Sequence, residues 1–171
     1  KVFSLKINFS FDKDLYQGEP LITIGFGRGS NPFGRLVGNQ DSDCRVLSKD
    51  GDYRFMGDPD QLNPASYKAW SFANACDVSH GDSGSAMVDR DTGEVVGIIW
   101  TGAIPKDKKI QNSDYIQRMI DADSPEIWTL VSYSVPAPKM GDVLHDYIVK
   151  DESAGNEVPT IDPETKILLE D

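Results

Sequence analysis

The stretch HGDSGSAMVDRDTGEVVGIIWTG, residues 80–102, combines a glycine-framed serine with the pattern of a β-hairpin. The runs SAMVD and EVVGIIW are rich in apolar and β-branched residues, and RDTGE between them supplies the glycine that hairpin turns need. Ser83 immediately precedes this hairpin and lies between Asp82 and Gly84. A serine in such a turn is either a presented nucleophile or an ordinary turn residue of a β-rich binding domain.

Outward from the hairpin, residues 1–100 show the same rhythm of short β-rich runs separated by Gly, Pro, Asn and Asp. The other runs are VFSLKINF, PLITIGFG, RLVGN, CRVLSKDGDYRFM and AWSFANA. This pattern is typical of a β-barrel or a β-sandwich.

Residues 111–135 differ in character and predict two short helices. Apolar side chains recur there at helical spacing, at Tyr115, Ile116, Met119 and Ile120. A second helix is indicated at DSPEIW, where Ser124 suits the N-cap, Pro125 the first helical position and Glu126 the first turn. Beyond Pro136, PAPKMGDVLHDYIV adds one more apolar segment.

The composition restricts the class of partner and places the acidic residues mainly at one end. A net charge of -11 without a basic stripe argues against nucleic-acid binding. No apolar run approaches the length of a membrane span, so the sequence predicts a soluble chain without membrane contact. From Asp142 to the C-terminus, the sequence contains nine acidic residues and only two lysines.

The two cysteines, Cys44 and Cys76, have neither a CxxC nor a Cys/His spacing that would suit zinc. A disulfide is one interpretation, and two unpaired core thiols are the other. No metal or organic cofactor is indicated.

Several motifs together resemble the active-site region of chymotrypsin-like serine proteases of bacterial type. They are CDVSHGDSGSA followed by the hairpin, VVGIIWTG, an early strand LITIGFG with an aromatic between two glycines, and SPEIWTLVSY in place of the terminal helix. The resemblance covers about residues 1–135. It implies an all-β fold: a six-stranded antiparallel barrel, the C-terminal half of a double barrel, with short C-terminal helices and an acidic tail.

The resemblance divides the chain into three parts: a C-terminal β-barrel at 1–110, a helical segment packed on it at 111–135, and an acidic extension at 136–171. It also pairs Cys44 with Cys76, which favours an oxidising compartment, secreted or periplasmic.

The resemblance implies that Ser83 attacks a peptide carbonyl and that the amides of Gly81 and Ser83 form the oxyanion hole. In trypsin-like members the residue matching Asp82 binds the ammonium that zymogen cleavage frees, and so organises that hole. A turn-capping acid is the other interpretation of Asp82.

The family's general base has no counterpart in this chain. Family members run histidine, aspartate, serine along the chain, and the one histidine before Ser83 is His80, too close in sequence to serve. His80 is expected either at the rim of the substrate cleft or as an exposed turn residue, and His145 lies in the tail. KVFSLKI at the start resembles the strand that follows the family's catalytic aspartate, which would place that aspartate just before Lys1. Asp12 and Asp14 are the nearby substitutes, and both are expected to be loop acids after the first strand.

The expected partner is therefore an N-terminal half of the same protease, carrying His and Asp as a separate processed chain. The predicted function is a serine endopeptidase acting on protein or peptide substrates. The alternative is a catalytically inactive, protease-like binding module.

Substrate contacts are expected from Asp77 and from the strand end at Ile99, Trp100, Thr101 and Gly102. Asp77, six residues before Ser83, matches the position that selects Lys or Arg in trypsin, although an acid there also caps its loop in other relatives. Trp100 suits the barrel core as well as a pocket wall.

Overall fold

The computed structural model describes residues 9–27, 36–57, 68–102, 112–124 and 130–153, and it shows an antiparallel β-sheet with two helices. The strands are β1 (Leu21–Gly25), β2 (Val37–Asn39), β3 (Arg54–Gly57), β4 (Lys68–Asn74), β5 (Ala86–Asp89), β6 (Val95–Thr101) and β7 (Ser132–Pro136). The helices are α1 (Ser113–Asp121) and α2 (Ala137–Ser153). The all-β fold with C-terminal helices is confirmed.

The seven strands form one sheet in the order β2-β1-β5-β6-β7-β4-β3, and this sheet does not close, in contrast to the expected six-stranded barrel. Residues 44–47 connect the ends of β1 and β4 by single bridges instead of a strand. Arg45 pairs with Pro20 and Val46 pairs with Asn74. Because each pairing lasts for one bridge only, this segment joins the two strands without forming a regular ladder.

The hairpin predicted after Ser83 is confirmed. Strands β5 and β6 pair antiparallel, with Ala86 opposite Ile98 and a shift in register between Met87 and Val88. Gly93 closes the turn at a φ of 77°, a left-handed conformation that glycine adopts without steric cost.

The region 111–135 differs in part from its prediction. Helix α1 forms as expected, and Asn112 caps it by accepting hydrogen bonds from the backbone N–H groups of Asp114 and Tyr115. The helix expected at SPEIWTLVSY is wrong for its final residues, because Ser132 and Tyr133 belong to β7.

The expected caps Pro125 and Glu126 lie outside the described residues, as does the strand expected before Phe9. The terminal helix comes later in the chain, as α2, within the segment expected to be an acidic extension.

The position of β7 explains why a helical pattern fails there. β7 lies between β6 and β4, so Ser132, Tyr133 and Ser134 are all buried. Asn74 of β4 donates hydrogen bonds from Nδ2 to the Ser132 carbonyl at 3.3 Å and to Ser134 Oγ at 3.2 Å. The Ser132 carbonyl and the Ser134 hydroxyl therefore both accept hydrogen bonds from a neighbouring strand, which no local pattern reveals.

The buried apolar residues form two clusters. The first combines residues of the strands, of the segment 44–47 and of the connecting loops, and it contains Leu15, Leu21, Cys44, Val46, Phe72, Cys76, Val78, Met87, Val96 and Ile99. The second packs α1 on the sheet and contains Leu47, Ala73, Ile116, Ile120, Val131 and Tyr133. The apolar spacing of α1 thus predicts its buried side, since Ile116 and Ile120 are core residues.

Helix α2 packs on β6 and β7, and Gly141 lies close to the ring of Phe11. Within the described ranges, no helix is both long and apolar enough to span a membrane.

Candidate functional site

Ser83 lies exposed in a tight turn between β4 and β5. Gly81 and Gly84 flank it with φ values of 105° and 86°, which are unfavourable for residues with a Cβ. The backbone N–H of Asp82 donates to the Ser79 carbonyl at 3.0 Å, and that of Ser85 donates to the Asp82 carbonyl at 2.8 Å. The turn therefore presents the Ser83 side chain outward from a hydrogen-bonded frame.

The turn is also fastened to the neighbouring strand β6. Gly84 donates its backbone N–H to the Ile99 carbonyl at 2.7 Å, and Ile99 donates to the Ser85 carbonyl at 2.9 Å. Because Ile99 is 2% exposed and belongs to the first core cluster, this pair of bonds positions the serine relative to the core.

The Asp82 carboxylate turns back onto the preceding chain. Its Oδ2 accepts hydrogen bonds from the Ser79 backbone N–H at 2.9 Å and from Ser79 Oγ at 3.3 Å. Asp82 is half-buried, in contrast to the exposed Ser83 beside it. The observed contacts of Asp82 are those of an acid that caps its own turn.

Two glycines of the LITIGFG motif make room for this carboxylate. A Cβ on Gly25 would lie 2.3 Å from Asp82 Oδ1, and a Cβ on Gly27 would lie 2.1 Å from Asp82 Oδ2. Both distances are far shorter than van der Waals contact. The sequence carried the signal, two glycines around Phe26, but their spatial relation to Asp82 appears only in the tertiary structure.

The amides expected to form an oxyanion hole are those of Gly81 and Ser83. Within the described part of the chain, neither amide donates a hydrogen bond, and Ser83 Oγ has no hydrogen-bonding partner. His80 and His145 are both exposed, and neither is hydrogen-bonded to Ser83.

The structure places the expected substrate-contacting residues in different surroundings. Asp77 is exposed, and its carbonyl accepts a hydrogen bond from Asn39 Nδ2 at 3.4 Å. The next residue, Val78, is buried, and a Cβ on Gly102 would lie 3.0 Å from its Cγ2. In the segment before Ser83, it is therefore Val78, and not Asp77, that packs against Gly102 at the end of β6.

The two other residues at the end of β6 are partly or fully buried. A shift in register between Ile99 and Thr101 places Trp100 at an irregularity of the β6–β7 ladder. Trp100 donates from Nε1 to Ser71 Oγ at 2.9 Å and packs against the second core cluster. Thr101 is buried. Trp100 thus makes the contacts of a core residue in the described chain.

The disulfide implied by the resemblance is confirmed: Cys44 is bonded to Cys76. Cys44 lies in the bridging segment and Cys76 follows β4, seven residues before Ser83. The bond therefore links the segment leading to the Ser83 turn with the segment that connects β1 and β4. Such a bond is compatible with an oxidising compartment.

Comparison with known proteins gives structural similarity only. No protein-family model matches the sequence, and no curated protein matches it. Among solved structures, Rv3671c from M. tuberculosis H37Rv in an inactive mutant form is similar, with 16% identity and a TM-score of 0.49 over 84% of this chain and 53% of that one. The structure of the Rv3671c protease in its inactive form is similar as well, with 15% identity and a TM-score of 0.49 over 84% of this chain and 54% of that one. This chain spans about half the length of those proteins.

Proposed function

We propose that this chain is the nucleophile-bearing half of a serine endopeptidase with a chymotrypsin-like double-barrel fold. Ser83 attacks the scissile carbonyl of a protein or peptide, and the amides of Gly81 and Ser83 stabilise the negative charge that develops on its oxygen. No metal or organic cofactor takes part.

The observation that carries this proposal is the exposed Ser83 in a doubly anchored turn. Hydrogen bonds to Ser79 hold one side of the turn, and hydrogen bonds to Ile99 hold the other. A nucleophile needs such preorganisation, because a small misplacement of the reacting atom lowers the rate by orders of magnitude. The two turn amides without a partner in the described chain support the oxyanion assignment.

The general base and its orienting aspartate come from a second segment, the N-terminal half of the same protease. This part of the proposal is supported by the lack of a histidine hydrogen-bonded to Ser83 within the described chain. An unassisted serine hydroxyl is a poor nucleophile at neutral pH, so Ser83 reacts only when that half is bound. The Cys44–Cys76 bond supports secretion or a periplasmic location.

The test uses native material in which intact-mass measurement shows a second chain containing His and Asp. A fluorophosphonate probe is expected to label this complex at Ser83. Ser83→Ala should abolish labelling, whereas Ser42→Ala, the same change at another exposed serine, should leave it unchanged. Labelling at a different serine, or no labelling in a verified two-chain complex, would refute the proposal that the chain is part of an enzyme. The alternative, a catalytically inactive, protease-like binding module, would then remain.

The finer part of the proposal is cleavage after Lys or Arg, selected by Asp77. Asp77→Ser should then lower kcat/KM for basic substrates by orders of magnitude while affecting small apolar substrates far less. Asp91→Ser, at an exposed acid beyond the other end of β5, is the matched control. A peptide-library profile without preference for basic residues would reject this selectivity but not the protease.

A further inference from the structure

Resting on the proposed function, we infer that Ser79 is a positioning residue for the Ser83 turn, and that an internal cradle of Ser79, Gly25 and Gly27 fixes Asp82 without an amino-terminal ammonium. In this inference, Asp82 does not bind an ammonium freed by zymogen cleavage. Groups of the chain around the Ser83 turn hold its carboxylate instead.

The first step is the pairing of Ser79 with Asp82. The two residues exchange three hydrogen bonds: Ser79 N–H and Oγ both donate to Asp82 Oδ2, and Asp82 N–H donates to the Ser79 carbonyl. Hydrogen bonds to an ionised carboxylate are stronger than those between neutral groups. These bonds close the loop from 79 to 82 on itself, so the carboxylate is held at the base of the turn.

The second step is the space that the carboxylate fills. Gly25 and Gly27 lie so close to its two oxygens that a Cβ at either position would overlap them. The Cβ of Gly27 would also lie 2.5 Å from Ser79 Oγ, so the same niche holds both partners of the pair. Backbone of β1 and of its continuation therefore fixes where the carboxylate can lie.

The third step is charge. Within the described residues, no lysine, arginine or histidine forms a salt bridge with Asp82. The carboxylate is instead stabilised by donors from Ser79, including one backbone N–H that is permanently in place. An ammonium is not needed to hold the side chain in this position.

The fourth step is the connection from the cradle to the nucleophile. Asp82 precedes Ser83, and its carbonyl accepts the Ser85 N–H at 2.8 Å. Fixing Asp82 at its side chain, amide and carbonyl thereby fixes both peptide groups around Asp82, and the second of these carries the Ser83 N–H. Ser79 acts on the proposed reaction only through Asp82.

The first experiment measures amide hydrogen exchange in the isolated chain by NMR. The amides of Asp82 and Ser85 are expected to be protected in the wild type, and Ser79→Ala should accelerate their exchange about tenfold, the factor for a lost hydrogen bond of ordinary strength. The amide of Ile99 should be much less affected. Ser79→Thr, which keeps the hydroxyl, should restore protection, and Ser42→Ala should change nothing.

Two outcomes of this experiment overturn the inference. If the turn amides of the wild-type isolated chain exchange as fast as those of an unfolded peptide, the cradle does not hold the turn. If Ser79→Ala accelerates exchange equally throughout the sheet, Ser79 contributes to general stability and does not position the turn.

The second experiment disturbs the niche without removing any of the hydrogen-bonding groups. Gly27→Ala should displace the Asp82 carboxylate and accelerate exchange at Ser85. Gly38→Ala, on the adjacent strand β2, has room for a Cβ, since the nearest atom lies 3.9 Å away, and it should have no such effect. Equal behaviour of the two variants would overturn the role of the niche.

The third experiment separates this inference from the proposed function. In the verified two-chain complex, Ser79→Ala should lower kcat and the rate of fluorophosphonate labelling at least tenfold with little change in KM, and Ser79→Thr should recover both. If the wild-type complex is unlabelled while the exchange results hold, the enzyme assignment fails and the cradle stands. If the wild type is labelled and Ser79→Ala labels equally fast, the positioning role fails and the enzyme stands.

Discussion

The two ends of β5 carry similar turns, and each turn holds an aspartate carboxylate in a different environment. At one end, Asp82 accepts hydrogen bonds from Ser79 N–H and Oγ, while at the other, Asp89 accepts them from Asp91 N–H at 2.8 Å and Thr92 Oγ1 at 3.0 Å. Each aspartate thus binds one backbone amide and one hydroxyl.

The two carboxylates differ in what surrounds them. Asp89 is 3% exposed and lies 3.7 Å from Lys13 Nζ, which also lies 3.7 Å from the buried carboxylate of Glu19. Desolvation lowers the pKa of Lys13, but the combined attraction of nearby acidic groups, with Glu19 and Asp89 the strongest, outweighs that effect and raises the pKa. The Asp82 carboxylate lies against the backbone of Gly25 and Gly27, whereas the Asp89 carboxylate lies next to the cation of Lys13.

The difference shows how a buried turn acid and the exposed Ser83 can both lie in one region of chain, the strand β5 and its flanking turns. At the Asp89 end, charge compensates burial and the turn presents no reactive group. At the Asp82 end, backbone and hydroxyl donors hold the acid, which leaves the next residue exposed. The following predictions test this contrast, in order of decreasing effect.

Removing the disulfide should have the largest effect and should weaken the Ser83 end first. Cys44→Ala with Cys76→Ala is expected to lower the free energy of unfolding by about 4 kcal/mol in the chain-entropy model, given a separation of 32 residues. Denaturant titration measures this loss, and reduction of the wild type is the control. Faster exchange at Asp89 than at Ser85 in the variant would contradict the expected order.

Asp89→Asn should cost about 2 kcal/mol, because it removes the charge facing Lys13 and places an amide where Thr92 Oγ1 donates. Thermal and denaturant unfolding measure the loss. Asp91→Asn, at an exposed neighbour, is the control and should stay near wild type. A cost below that of Asp82→Asn would reverse the comparison between the two ends.

Asp82→Asn should cost only about 1 kcal/mol, the usual scale for a lost cap, since no cation among the described residues forms a salt bridge with Asp82. Its effect on fluorophosphonate labelling in the two-chain complex should be much larger than its effect on unfolding. The reverse balance, a large stability loss with normal labelling, would make Asp82 an ordinary structural acid like Asp89.

Glycine-to-alanine changes at the two turns should have matched effects on stability and unmatched effects on function. Gly84 and Gly93 have φ values of 86° and 77°, and neither has a heavy atom within 4 Å of an added Cβ. Each variant should therefore lose about 1 kcal/mol from backbone strain alone. Only Gly84→Ala should slow labelling of Ser83, and equal labelling of both variants would remove the distinction between the turns.

The smallest effect should be a pH dependence at the Asp89 end. Burial raises the pKa of Glu19, so its contribution to stability is present below the unfolded pKa of about 4.3 and is lost as pH rises through the folded pKa. The urea midpoint of the wild type relative to that of Glu19→Gln should fall as the pH is raised from about 4 to about 7. A difference that grows in favour of the wild type over this range would contradict the shift.

Much of the fold near Ser83 could be predicted from the sequence because its determinants are local. The hairpin after Ser83 follows from two runs rich in apolar and β-branched residues around one turn glycine, and α1 follows from apolar residues at helical spacing. Both depend on neighbours within a few residues. The Cys44–Cys76 bond required the resemblance, since two cysteines alone leave free thiols open.

The sequence by itself determined the antiparallel, β-rich class, the β5–β6 hairpin and the exposed turn residue Ser83. Only the tertiary structure decided that Ser132–Pro136 is a central strand, that Val78 and not Asp77 lies against Gly102, and that Gly25 and Gly27 make room for Asp82. Each of these depends on residues distant in sequence, and a pattern of local periodicity carries no information about which distant backbone will lie beside it.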